Sequence, residues 1–119
     1  MDSDALLEKI NDFISQINRV DSISEAGLKQ TDFPDKVILS LHNHLGNAKH
    51  YISDETTAFN ATEQFISITH AERELNELRD DLLLLKQHDV IAESDFELLS
   101  IAAYEVDELL RKITDPEYT

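Results

Sequence analysis

The chain has 119 residues, 41% of them hydrophobic, with no Cys and a formal net charge of −15. That length bounds one domain with one core, and the missing Cys excludes a disulfide framework and a thiolate metal site. The charge repels phosphate backbones and anionic lipid and favours a basic protein partner.

No apolar run approaches the ~20 residues that cross a bilayer, so no membrane span is expected. The acidic start (Met1, Asp2, Ser3, Asp4) is unlike the basic opening of a secretory signal, which makes a cytoplasmic location the expectation.

The spacing predicts a first helix over 4–20. Ser3 or Asp4 caps it; Leu6, Ile10, Phe13, Ile17 and Val20 form its inward stripe, widened by Leu7 and Ile14. The pattern breaks from Asp21 to Asp32, where a loop with a short helical turn is expected. Ile23, Ala26 and Leu28 there are candidates to pack back on the core.

A second helix is predicted over 34–53, with Pro34 in its first turn, where a missing N–H is harmless. Val37, Ile38, Leu41, Leu45, Ala48 and Ile52 face inward. Gly46 stands mid-helix, where it costs about 1 kcal/mol relative to Ala. Ser53-Asp54-Glu55-Thr56 is expected to close this helix and cap the next.

The third helix, predicted over 57–88, is the longest. Ala58, Ala61, Phe65, Ile68, Ala71, Leu75, Leu78, Leu82 and Leu85 recur by threes and fours, one stripe of a helix turning 100° per residue. A link of about four residues then makes its successor an antiparallel neighbour, with Val90 and Ile91 covering the end of the core. The fourth helix is predicted over 93–113, with Phe96, Leu99, Ala103, Val106, Leu110 and Ile113 inward, and 115–119 is read as a flexible tail after the bundle of 1–114. The fold class is all-α, an antiparallel four-helix bundle.

The last two helices also carry apolar residues off their main stripes. Phe59, Ile66, Leu83 and Leu84 on the third, and Leu98, Ile101 and Leu109 on the fourth, exceed what one core needs. Self-association through these seven is the preferred expectation.

Little in the chain points to chemistry. His42 and His44 lie about 80° to either side of the apolar centre of helix 2, with His50 outside, so the three do not converge on one ion. No His follows a Glu at the Glu-x-x-His spacing of carboxylate-bridged bundles. Glu74-x-x-Glu77 and Glu105-x-x-Glu108 resemble the magnesium-binding carboxylates of all-α nucleotide pyrophosphohydrolases. Glu77, Glu105 and Glu108 fall on polar faces at helical contact spacing from Arg73, Arg79 and Arg111, so solvated ion pairs explain them. The expectation is no enzyme, no catalytic residue, no metal and no cofactor. Asn60-Ala61-Thr62 matches a glycosylation sequon, without meaning in a cytoplasmic helix.

Leu41-His42-Asn43-His44-Leu45-Gly46 resembles a histidine-phosphotransfer box, in which Gly four residues after the His clears room for a phosphoryl group. That resemblance implies, as the alternative function, a domain relaying phosphate through His42 with Gly46 beside it. Leu45 stands where that family carries Lys.

The second half has a broader likeness. Phe65-Ile66-Ser67-Ile68-Thr69-His70-Ala71-Glu72-Arg73-Glu74-Leu75-Asn76-Glu77-Leu78, then Leu82-Leu83-Leu84-Leu85-Lys86 and Val90-Ile91-Ala92-Glu93-Ser94-Asp95-Phe96, with Asp32-Phe33-Pro34 earlier, resembles the four-helix-bundle family encoded in intervening sequences of bacterial 23S ribosomal RNA genes. That family includes the accessory variability proteins of retroelements. The resemblance implies a bacterial, non-enzymatic homo-oligomer, a pentamer among those relatives, acting as an adaptor or accessory subunit to a reverse transcriptase or other nucleic-acid-processing enzyme. Asp54-Glu55 replaces the family's Glu-Gly, and with the net charge it argues against direct nucleic-acid contact.

Overall fold

The computed structural model describes residues 3–24, 33–57 and 60–114. Four helices, α1 (Ser3–Asn18), α2 (Asp35–Thr57), α3 (Ala61–Gln87) and α4 (Glu93–Thr114), form an all-α bundle, and a 3₁₀ turn (Asp21–Ile23) follows α1. Each helix packs on its chain neighbour and α1 closes on α4, leaving α1 diagonal to α3 and α2 diagonal to α4. Neighbours run antiparallel: Ser40 meets Asp81 while Tyr51 meets His70, and Lys9 meets Glu105 while Arg19 lines a groove with Asp95. No helix among the described residues is long and apolar enough to cross a membrane.

The periodic stripes fill the core as expected. Leu6, Ile10, Phe13 and Ile17 from α1 meet Leu41, Leu45, Ala48 and Ile52 from α2, all essentially without solvent contact. Ile68 to Leu85 from α3 and Leu99, Ala103, Val106 and Leu110 from α4 complete it. Ile23, in the 3₁₀ turn, is fully buried, and Ile91 lids one end of the core.

Three expectations change. α2 runs through Ser53-Asp54-Glu55-Thr56 to Thr57, because neither Gly nor Pro stands in that stretch and its residues have only moderately lower helix propensity. The cap of α3 is instead Asn60, whose side chain accepts the Glu63 backbone N–H at 2.9 Å. The sequon asparagine therefore stands at a helix end.

Phe65, placed on the inward stripe, is 57% exposed. At 100° per residue it lies roughly 120° from the centre of the buried set that begins at Ile68. Spacings of three had let the predicted stripe drift around the helix. Ala26, Leu28, Ala58, Phe59 and the expected tail 115–119 lie outside the described residues.

The α3–α4 corner shows how tightly a short link can be set. Asp89 has φ 58°, the Asp89 N–H donates to the Lys86 carbonyl at 3.0 Å, and the Val90 N–H donates to the Leu85 carbonyl at 2.9 Å. These paired bonds form a Schellman motif, which satisfies the last carbonyls of α3 and turns the chain into α4.

Candidate functional site

The densest polar group sits in the seam between α2 and α3. Ser40, His44 and Asn47 project from one side of α2, separated by four and three residues, and so share a face. Glu74, Glu77 and Asp81 do the same on α3. His44 Nδ1 lies 2.6 Å from Glu74 Oε2 and 3.2 Å from Glu77 Oε2. Its other nitrogen, Nε2, is 3.8 Å from Asp81 Oδ2. Asn47 Nδ2 donates to Glu74 Oε1 at 3.1 Å, and the Ser40 hydroxyl donates to Asp81 at 2.8 Å.

Burial separates the three carboxylates. Glu74 is 8% exposed, Asp81 half-buried and the Glu77 side chain 50% exposed. Desolvation pushes the Asp81 carboxyl above its usual 3.8, while the Ser40 hydrogen bond and the His44 charge oppose that rise. Among the described residues, His44 is the one ion-pair partner of all three carboxylates.

Spacing within a single helix carries no sign of this convergence, because its two sides come from α2 and α3. The phase angles of His42, His44 and His50 correctly keep the histidines apart. They carry no information on what α3 brings to His44. Two of the paired glutamates, Glu77 and Glu105, find partners across helices, while Glu108 holds the Tyr104 hydroxyl within α4. Glu105 bonds Lys9 at 2.7 Å, and Arg79 reaches Asp107 at 3.6 Å and the Ala103 carbonyl at 3.3 Å. Glu77 turns to His44. Glu74 and Glu77 therefore face the α2–α3 seam and Glu105 the α1–α4 seam.

His42 is half-buried, with Nε2 2.7 Å from the Ile23 carbonyl. A carbonyl only accepts, so this nitrogen carries the proton and has no lone pair for a phosphoryl group. Phosphate relay through His42 would need Nδ1, or release of the 3₁₀ turn. Gly46, one turn on, opens onto empty space: a Cβ there would meet nothing within 4 Å.

The second candidate is apolar. Leu98, Ile101 and Tyr104 on α4 are each more than half exposed, and spaced by three they step diagonally across its outer face. A groove on one side is lined by Gln16, Arg19, Val20 and Asp95 with Leu98. The groove on the other side holds Arg79, Leu83, Phe96 and Ser100. Glu97 and Glu105 border the ridge, and the Tyr104 hydroxyl is held by Glu108, which raises its pKa.

Of the seven residues expected at an interface, Ile66, Leu83, Leu84, Leu98 and Ile101 are exposed. Phe59 lies outside the described residues. Leu109 is half-buried: it packs partly against the core and lines a groove at the α1–α4 seam beside Ala5, Glu8 and Lys9. Phe65 and Leu83, and likewise Ile66 and Leu84, stand 18 residues apart. Five full helical turns put each pair on one line, about 27 Å apart.

Protein-family models, curated proteins and solved structures were compared with the chain. None matches.

Proposed function

We propose that this chain is a non-enzymatic helical bundle that associates with copies of itself through the outer face of α4 and the adjoining surface of α3. It serves, on this reading, as an adaptor or accessory subunit. The observation that carries it is the ridge of Leu98, Ile101 and Tyr104, set between two grooves of the same molecule. An apolar ridge beside a groove is self-complementary, as a two-fold interface requires, and contiguous exposed apolar surface marks association sites.

The net charge of −15 suits a basic protein as the further partner. The likeness to intervening-sequence and retroelement accessory bundles supports a role beside a nucleic-acid-processing enzyme, with nucleic acid contacted by that enzyme.

Light scattering at micromolar concentration tests the self-association. The expected mass is a multiple of 13.6 kDa, falling to 13.6 kDa in the Leu98→Glu, Ile101→Glu double variant with helicity unchanged. A wild-type chain at 13.6 kDa throughout overturns it. The phosphotransfer alternative has the open space at Gly46 in its favour. Failure of His42 to gain acid-labile phosphate from a phosphorylated receiver ends it.

A further inference from the structure

The seam around His44 has the composition of a divalent-cation site. We propose that His44 Nδ1, Glu74 Oε2 and Glu77 Oε2 bind one first-row transition-metal dication of the Zn²⁺ class across α2 and α3.

The geometry needs little change to accept it. The three ligand atoms all lie within 4.8 Å of one another. Ligands about 2.1 Å from a tetrahedral ion are about 3.4 Å apart. The separation from His44 to Glu77 is already 3.2 Å, and that to Glu74, now 2.6 Å, must open by under an ångström. In the metal-free seam a ring proton occupies the line between His44 and Glu74. The cation replaces that proton and brings two charges into a seam where three carboxylates face one imidazole.

Two features go beyond a chance meeting of acids. An imidazole among carboxylates selects for transition metals over Mg²⁺, which prefers oxygen. The surroundings also hold the ligands: Asn47 orients Glu74 through its second oxygen, and Asp81, fixed by Ser40, lies on the far side of the imidazole. Asp81 is 3.8 Å from His44 Nε2, and closing to hydrogen-bond distance would let it set the tautomer of a metal-bound His and strengthen it as a ligand. Glu77, half exposed, leaves the fourth position open to water or a partner's side chain.

Titration calorimetry with Zn²⁺ alone, on the full chain, tests this. One ion per chain is expected. His44→Gln should abolish the binding, and Asp81→Asn should weaken it roughly tenfold. Mg²⁺ should bind far more weakly. Glu77→Gln, at a half-exposed position, keeps the test decisive if His44 variants fail to fold: it should weaken Zn²⁺ at least about tenfold. Zn²⁺ binding that ignores Glu77→Gln, or that Mg²⁺ matches, overturns the proposal. Neither result depends on the oligomeric state.

Discussion

Glu74 on α3 joins two α2 side chains at once, His44 through one carboxylate oxygen at 2.6 Å and Asn47 through the other at 3.1 Å. Glu74→Ala removes the nearest partner of part-buried His44, while exposed Asn47 turns to water, so it should destabilise the fold by about 1–2 kcal/mol. Glu77→Ala, at the open edge, should change stability by under about 0.5 kcal/mol. Urea unfolding of the two variants gives the comparison, and equal losses would contradict the assigned burial.

Asp81 sets a pH dependence. Its carboxyl sits above 3.8 because burial disfavours the charge, so the folded chain holds that proton more tightly than the unfolded one. Stability from this group is therefore present at low pH and is lost as the pH rises from about 3.8 through the raised value. Asp81→Asn, which keeps a partner for Ser40, should raise Tm at neutral pH, with the gain shrinking on acidification. Thermal melts across the acid range check the trend, and a gain that grows toward low pH has the wrong sign.

At the α3–α4 corner, Asp89 occupies the left-handed region that glycine enters without steric strain. Asp89→Gly should stabilise by up to about 1 kcal/mol, since relief of strain exceeds the added chain entropy. Asp89→Val should destabilise. Denaturant midpoints at unchanged slope measure both.

Gly46 invites the reverse substitution. With empty space where its Cβ would lie, Gly46→Ala should stabilise α2 by about 0.5–1 kcal/mol. A loss of stability would mean a close neighbour at that position.

Self-association brings together chains of charge −15, so added salt should strengthen it. Sedimentation at low and high ionic strength reads this directly. Weakening by salt would point to an interface made of ion pairs instead of the α4 ridge.

Helix number, order and inward faces were legible because burial follows the phase of a 100° turn, and Ile10, Leu41, Leu75 and Val106 all obey it. Phase measured along one helix failed where spacing let a stripe drift, as at Phe65. It was silent where the partner came from another helix: nothing within α2 says that His44 meets Glu74, or within α4 that Leu109 lies beside Ala5. Ser53 to Thr56 shows the third limit. Cap-type residues end a helix only when the chain also leaves the helical path; here α2 runs on to Thr57, and the extended backbone of Asn60 opens α3.

Lys9 and Glu105 touch although 96 positions separate them, whereas α2 and α3, the most extensively packed pair, follow one another directly. Bringing α1 onto α4 closes the longest loop, while the central hairpin forms from local contacts. The α1–α4 seam is therefore the bundle's closing stitch, and native-state hydrogen exchange is expected to find it opening before the α2–α3 hairpin.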